Sequence, residues 1–390
     1  MSLSETLSRL KRGREAFAAG HSAAAQAGGP DRLSEFEGRF ANPGNLRARC
    51  YVPEGVERPT ALLVVLHGCT QDAGGYDQGA GWSRLADRHG FALLYPEQKR
   101  ENNPNLCFNW YQASDARRGG GEAASIAAMV EAMRAAHKID AGQVYVTGLS
   151  AGGAMTAVML AAYPELFAGG AIIAGLPFGV ADTLAEAFEC MGGRGFGALE
   201  RLADQVRSAS PHKGPWPRVS IWQGSADRIV APANAEALVR QWTGVHGLRA
   251  TPDRVEQVDG HPRRVWLGAD GRELVEYYEV RGMAHGTPLM PGTGEGQSGE
   301  ARAHMLDVGL SSTDRIAAFF GIAAAGAAAS ARPAAGSDAR PVRILTETPA
   351  RPRAEAPRAK PATGAARGAG AARGIQKTIE DALRSAGLMK

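Results

Sequence analysis

The pentapeptide Gly148-Leu149-Ser150-Ala151-Gly152 constrains this chain more than any other part of its sequence. The string alone is weak, because 50 of the 390 residues are glycine. Its setting is informative: the strand pattern QVYVTGL precedes the serine, and the helical pattern AGGAMTAVMLAAY follows it. A strand, a sharp turn and a helix in this order are typical of a nucleophile elbow, which presents a serine at the edge of a sheet. We therefore predict that Ser150 is a nucleophile.

Strand and helix patterns alternate on both sides of this motif. Short aliphatic runs typical of buried strands lie at 61–67, 91–95, 143–149, 170–174 and 219–223, and the longest helical pattern between them lies at 122–137. Such alternation indicates an α/β fold with a mostly parallel sheet and helices on both faces. We expect this domain to span residues 34–321. It would open with a hairpin at 34–52 and close with a helix at 313–320.

The chain outside that domain has a different composition. Residues 1–33 would form an amphipathic helix at 4–19 and a linker. Residues 322–374 are rich in Ala, Pro, Arg and Gly and hold nine basic against three acidic residues, which predicts a disordered linker of charge +6. Residues 375–390 place apolar side chains on one helical stripe. Since the whole chain carries +4, the domain itself is slightly acidic and lacks the basic surface of a nucleic-acid-binding protein.

Hydropathy and cysteine content restrict the classes of protein to which the chain can belong. No apolar run approaches the ~20 residues of a transmembrane segment. The first 30 residues lack the apolar core of a signal peptide, so we expect a cytoplasmic protein, with granule association as an option. Its four cysteines, Cys50, Cys69, Cys107 and Cys190, lack zinc-site spacing. We expect no metal and four thiols, with a Cys69–Cys107 bridge as the alternative.

A nucleophilic serine needs a general base, and His285 is the candidate. In this fold the base follows the serine and the acid along the chain. His285 comes directly after the strand pattern ELVEYYEV and is flanked by small residues, which suits a loop at the carboxyl edge of the sheet. We expect His304 on a helix face and His261 in a Gly/Pro turn.

The expected orienting acid is Asp227, which ends the segment IWQGSAD after the fifth strand pattern. Asp259 also follows a strand pattern and is the alternative. Asp253 and Asp270 have the surroundings of turn residues. A purely structural interpretation is that Asp227 caps the helix that begins near Ala231.

Acyl transfer also requires hydrogen-bond donors for the developing oxyanion. One expected donor is the backbone N–H of Ala151, directly after the nucleophile. The second would come from the loop Leu66-His67-Gly68-Cys69-Thr70, through the N–H of Cys69. His67 ends a buried strand pattern, so we interpret it as a residue that organises this loop and not as the general base.

Several separate strings carry a resemblance to a known family. LHGCTQ, FALLYPEQ, FNWYQ, VYVTGLSAGGAM and AYPELFAGGA, with Arg-Gly-Gly-Gly-Glu before the long helix, together resemble the polyhydroxyalkanoate (PHB) depolymerase-type esterases. These are α/β-hydrolases with feruloyl- and acetylxylan-esterase-like members, and the resemblance spans residues 35–321. It implies cofactor-free hydrolysis of carboxylic esters through an acyl-enzyme, with Ser150, Asp227 and His285 at matching positions.

The resemblance also has departures that bear on the substrate. Many relatives place a tryptophan just after the catalytic histidine, where this chain has Gly286-Thr287-Pro288. Trp110 and Trp222 are the remaining aromatic candidates for the substrate wall, although either fits a core position equally well. Poly- or oligo(3-hydroxyalkanoate) esters are the expected substrates.

Two other functions stay open. One is a small-molecule carboxylesterase of feruloyl or acetyl type. The other is a granule-binding protein with vestigial activity, suggested by the basic C-terminal region. For any of these functions, we expect the helix at 375–390 to bind a granule, a membrane surface or a protein partner, with an inert tail or a helix packed on the domain as the alternative.

Overall fold

The computed structural model describes residues 30–323. The predicted helix at 4–19, the predicted helix at 375–390 and all but the first two residues of the predicted linker lie outside these residues. The division of the chain into four segments therefore stays a prediction.

The described residues form a sheet covered by helices. The strands are β1 (Ser34–Glu35), β2 (Arg47–Tyr51), β3 (Leu62–Leu66), β4 (Ala92–Glu97), β5 (Val144–Leu149), β6 (Gly169–Ile173), β7 (Arg218–Gly224), β8 (Arg254–Val258), β9 (His261–Leu267), β10 (Glu273–Val280), β11 (Thr287–Leu289) and β12 (Met305–Asp307). The α-helices are α1 (Ala73–Ala80), α2 (Trp82–His89), α3 (Ala113–Ala116), α4 (Gly121–His137), α5 (Ala151–Ala162), α6 (Leu184–Met191), α7 (Leu202–Ser208), α8 (Ala233–His246) and α9 (Ser312–Phe320).

Ten of the strands form one sheet in the order β1-β2-β4-β3-β5-β6-β7-β10-β9-β8. The six central strands from β4 to β10 are parallel, and antiparallel strands lie at both edges. β11 and β12 form a separate parallel pair. This arrangement confirms the predicted α/β-hydrolase fold with a mostly parallel sheet.

The core lies on both faces of this sheet. Along β3, Leu62, Val64 and Leu66 pack into one hydrophobic cluster, whereas Leu63 and Val65 pack into the other. Side chains alternate between the two faces of a strand, and helices cover both faces, so every residue of β3 is buried. This explains why the central strands have continuous aliphatic sequences.

The edges of the domain differ from the sequence-based expectation. The opening hairpin is short, because β1 pairs with β2 only through Ser34 and Glu35. The sequence patterns also miss several short helices. One of them, α6, begins with a capping box in which Thr183 and Glu186 bond each other's backbone N–H groups.

Parallel strands bring their carboxyl ends to one edge of the sheet. Leu149, Gly224 and Val280 end β5, β7 and β10 at that edge, and the loops that follow carry Ser150, Asp227 and His285.

In the described part of the chain, no helix combines the length and apolarity needed to cross a bilayer.

Candidate active site

A sharp turn between β5 and α5 carries Ser150. The serine has φ +58° and ψ −119°, a strained conformation for a residue with a side chain, and its N–H donates to Ile173 O at 2.9 Å. Two glycines permit this turn. A Cβ on Gly148 would lie 2.4 Å from Gly152 O, and one on Gly152 would lie 2.2 Å from Leu66 O. The backbone is therefore that of a nucleophile elbow, in which both flanking glycines are required.

The turn leads directly into α5, whose first residue is Ala151. N–H groups in the first turn of a helix have no acceptor within the helix, and they attract negative charge. Ser150 is partly exposed, whereas every residue of α5 is buried. The Ala151 N–H thus lies at a helix end suited to an anion that forms beside the serine oxygen.

Asp227 and His285 form a buried hydrogen-bonded pair at the same edge. Asp227 Oδ2 accepts the Nδ1–H of His285 at 2.7 Å and the Nε2–H of Gln223 at 3.0 Å. Oδ1 accepts the N–H groups of Ile229 and Val230, both at 2.9 Å. Asp227 is 4% exposed and His285 is 8% exposed. Four donors thus fix the carboxylate, which orients the imidazole so that Nδ1–H faces Asp227 and Nε2 faces away from it.

Close packing of two loops brings His285 to Asp227. A Cβ on Gly224 would lie 2.3 Å from Met283 O. Ala226 N–H donates to the same carbonyl at 3.0 Å, and Ser225 Oγ accepts the N–H of Gly282 at 2.8 Å. The loop after β10 therefore lies directly against the loop after β7.

The alternative acid Asp259 has a different environment. It occupies the turn between β8 and β9 with φ +51° and forms an ion pair with Arg315 at 3.0 Å. The purely structural interpretation of Asp227 as a helix cap is incomplete, because that carboxylate bonds both the turn after it and His285.

Two other histidines lie where the sequence analysis did not expect them. His261 begins strand β9 instead of lying in a turn. His304 is not on a helix, because the residues after it form β12 and pair with β11. The rings of His304 and His285 meet edge to face, with centroids 5.8 Å apart and planes at 77°.

The expectation that all four cysteines are thiols is wrong. Cys69 and Cys107 form a disulfide with Cα atoms 4.2 Å apart, whereas Cys50 and Cys190 are buried thiols. Next to the bridge, the Thr70 N–H donates to Asn105 O at 2.7 Å. The loop that carries Cys69 is therefore fastened covalently and by a hydrogen bond to the segment that follows β4. The sequence left this bridge as the alternative, because its formation depends on how two loops meet in space.

His67 organises this loop, as its position in the sequence suggests. Its Nδ1–H donates to Gly68 O at 2.8 Å, and its Nε2 accepts the N–H of Gln98 at 3.1 Å. Both nitrogens are thus engaged with backbone groups. Burial lowers the pKa of the ring, so the neutral form that these two bonds require is favoured.

Glu122 is a buried carboxylate that the sequence analysis did not single out. It accepts hydrogen bonds from the backbone N–H and the side chain of Asn109, both at 2.8 Å, and from Gln98 Nε2 at 2.5 Å. Gln98 Nε2 also donates to Cys107 O at 3.1 Å. Burial raises the pKa of Glu122 to about 7. The first turn of α4 thereby anchors the segment that is bridged to Cys69.

The two aromatic candidates for the substrate wall, Trp110 and Trp222, differ in burial. Trp222 is fully buried and stacks on Tyr278 with centroids 3.8 Å apart, which leaves no ring face for a substrate. Of the two interpretations that the sequence left open for Trp222, the core position is right and the place in the substrate wall is wrong. Trp110 is partly exposed and packs against the cluster that contains Ala154, one helical turn after Ser150. It also lines a cavity of about 160 Å³ with Phe178.

Within residues 30–323, no group of three or more His, Cys, Asp or Glu side chains is arranged to hold a metal ion.

The site combines a serine in an elbow, helix-end N–H groups beside it and an Asp–His pair at the same sheet edge. Acyl transfer through a serine requires these parts.

Comparisons of the sequence with a family model and with known proteins point to the same family. Residues 46–257 match the model of the family described as Esterase PHB depolymerase. The chain is 47% identical to poly(3-hydroxyalkanoate) depolymerase C of Paucimonas lemoignei over 74% of this chain and 70% of that protein. It is 35% identical to an acetylxylan esterase of Coprinopsis cinerea over 66% of this chain and 70% of that protein.

A solved structure supports the same placement. The acetyl xylan esterase from Aspergillus awamori aligns with a TM-score of 0.63 at 26% identity, covering 75% of this chain and 99% of that one. The resemblance found in the sequence is thereby confirmed. The chain belongs to the PHB depolymerase esterase family and is a carboxylic ester hydrolase.

Proposed function

We propose that Ser150 is the nucleophile, His285 the general base and Asp227 the orienting acid of an esterase that works through an acyl-enzyme. The observation that carries this proposal is the 2.7 Å bond between Asp227 Oδ2 and His285 Nδ1. It keeps the Nε2 lone pair available for the proton of the serine hydroxyl. His285 would then return that proton to the leaving alcohol, and a water molecule would release the acyl group by the same route.

The oxyanion formed in each step would be held by two backbone N–H groups. Ala151 supplies one from the start of α5. We assign the other to Cys69, whose loop is secured by the bridge to Cys107. Donors that are fixed before the reaction stabilise the developing charge without a cost of reorganisation.

We infer that the substrates are poly- or oligo(3-hydroxyalkanoate) esters. The support is the 47% identity to a protein named as a poly(3-hydroxyalkanoate) depolymerase. Activity on acetyl or feruloyl esters is the second candidate, favoured by the fold match to an acetyl xylan esterase. Trp110 remains the aromatic candidate for the substrate wall.

Initial rates on a panel of esters test this assignment. Wild type and Ser150→Ala would be assayed on 3-hydroxybutyrate oligomers, acetylated xylan and aryl feruloyl esters at matched ester concentration. We expect the highest kcat/KM on the hydroxybutyrate oligomers and no turnover above background by the variant. A preference for acetyl or feruloyl esters would favour the second candidate. Equal activity of the serine variant would exclude both.

We also propose that residues 322–390 recruit the enzyme to a surface. The support is the charge of +6 over 322–374 and the apolar stripe predicted at 375–390. A chain that ends at Gly321 should keep its kcat/KM on a soluble ester and sediment less with polyester granules or anionic vesicles. Equal sedimentation of both proteins at every salt concentration would contradict recruitment.

The disulfide bears on the compartment in which the protein works. The cytoplasmic location and granule association expected from the sequence remain predictions. The Cys69–Cys107 bridge argues against a reducing compartment, because disulfides persist mainly in oxidising ones.

A further inference from the structure

His304 contacts both the backbone and the ring of His285. Its Nδ1 lies 3.2 Å from the backbone O of His285, and the two rings meet edge to face. A carbonyl oxygen can only accept, so His304 Nδ1 carries the proton and donates it.

The backbone of His304 holds the same segment a second time. Its carbonyl O accepts the N–H of Thr287 at 2.8 Å, which is the bond that begins the pairing of β11 with β12. A Cβ on Gly286 would lie 2.7 Å from that oxygen, so glycine is required there. The side chain and the main chain of His304 thus form hydrogen bonds with the residues on both sides of Gly286.

The conformation of His304 is itself fixed by its surroundings. Its φ is +59°, the left-handed region that most side chains avoid. Arg302 and Met305 close a turn around it by exchanging N–H···O bonds of 3.1 and 2.9 Å. Met305 is 1% exposed, which anchors this turn in the core. A strained residue that a buried turn maintains is a recurrent feature of functional sites.

We propose that His304 is a positioning residue for His285, which rests on the role proposed for His285 above. Asp227 fixes the imidazole at Nδ1, and His304 fixes the peptide that carries the imidazole. With both in place, Nε2 points in one direction during the two proton transfers of each half-reaction. Misplacement of a reacting group by ~1 Å costs ~10²-fold in rate.

Three variants separate this role from simple packing. His304→Phe keeps an aromatic edge against His285 but has no donor. His304→Asn keeps a donor near the Nδ1 position, and asparagine tolerates left-handed backbone. His212→Phe is the matched control, since His212 also bonds a backbone carbonyl, at 2.9 Å, and also meets an aromatic ring, that of Trp216, but lies outside this site.

The measurements are kcat and KM on a soluble ester and the proton NMR signal of the His285 Nδ1–H. We expect His304→Phe to lower kcat by ~10–100-fold with KM almost unchanged, and to shift or broaden that signal. His304→Asn should restore most of kcat, and His212→Phe should match wild type. If His304→Phe fails to fold, His304→Gly, which also accepts left-handed backbone, is judged by the same criterion.

Two results would overturn the proposal. One is a folded donor-free variant with wild-type kcat and an unchanged signal. The other is an equal loss in His304→Asn and His304→Phe. Failure of the proposed function would look different, because His285→Ala would then keep its activity.

Discussion

The two sides of the candidate site are built in different ways. Ser150 is presented by one continuous stretch of chain, β5-turn-α5, and the glycines that permit the turn lie two residues away on either side. His285 lies on the loop after β10, which segments distant in sequence hold in place: the loop after β7 through Ser225 and Asp227, and the turn at His304. The serine side is therefore a local feature, whereas the histidine side depends on tertiary packing.

This difference decides how each side responds to change. The elbow depends on backbone sterics at Gly148 and Gly152, so we expect it to be most sensitive to substitutions at these two positions. The histidine side depends on many weaker contacts, so substitutions far from His285 in the sequence can displace it. The loop that carries Cys69 resembles the histidine side, because it is held by Cys107, Gln98 and Glu122, which lie far from it in the sequence.

The largest expected effect is on the serine side. Ser150→Ala removes only the nucleophilic oxygen, so we expect an intact fold and a loss of ~10⁴–10⁶ in kcat, typical of nucleophile removal in serine hydrolases. Hydrolysis of a soluble ester and the thermal midpoint check the two halves of this statement. Retention of a tenth of the activity would refute the role of Ser150.

On the histidine side, Asp227→Asn should lower kcat by ~10³ or more, because the imidazole loses its counter-charge and its tautomer control. Asp259→Asn is the matched control, since Asp259 pairs with Arg315 at the surface. It should have less than a twofold effect on the kcat of ester hydrolysis. Reversed behaviour of the two variants would show that the acid is misassigned.

The position of the loop that carries Cys69 should depend on the Cys69–Cys107 bridge. The disulfide closes a loop of 38 residues, so the double variant Cys69→Ser/Cys107→Ser should lose about 4 kcal/mol of unfolding free energy in the chain-entropy account. The kcat should also fall as the Cys69 N–H loses its fixed position. Denaturant unfolding and ester hydrolysis measure the two effects.

A reductant provides the control for the bridge. It should reproduce both losses in wild type and change nothing further in the double variant. Wild-type stability and kcat that do not respond to a reductant would contradict a structural role of the bridge.

The smallest effect concerns Glu122 and pH. Its pKa is about 7 in the folded chain and ~4.3 in an unfolded one, so the folded state binds the proton more tightly. Its contribution to stability is therefore present at low pH and is lost as the pH rises from ~4.3 to about 7, by on the order of 3–4 kcal/mol. Unfolding free energies of wild type and Glu122→Gln across this range should differ in slope. Parallel curves would contradict the raised pKa.

Features that are encoded locally could be predicted from the sequence, whereas features assembled from distant segments were left open or missed. The elbow, the central strands and the longer helices are encoded by patterns of adjacent residues, and all are present. Asp227 and His285 could be predicted as a pair because the order of acid and base along the chain is constrained in this type of fold, and the structure brings the two side chains together. The disulfide, the anchoring by Glu122, the contact of His304 and the burial of Trp222 each depend on which loops meet. No spacing rule in a single sequence carries that information.

The central claim is that Ser150 is the activated nucleophile, and covalent labelling tests it most directly. Wild-type protein would be incubated with a fluorophosphonate probe and the adduct located by peptide mass spectrometry. We predict one adduct per chain, on the peptide that contains Ser150, with no adduct on Ser150→Ala and slower labelling of Asp227→Asn. A folded wild-type protein that remains unlabelled, or that is labelled at another serine, would contradict the account.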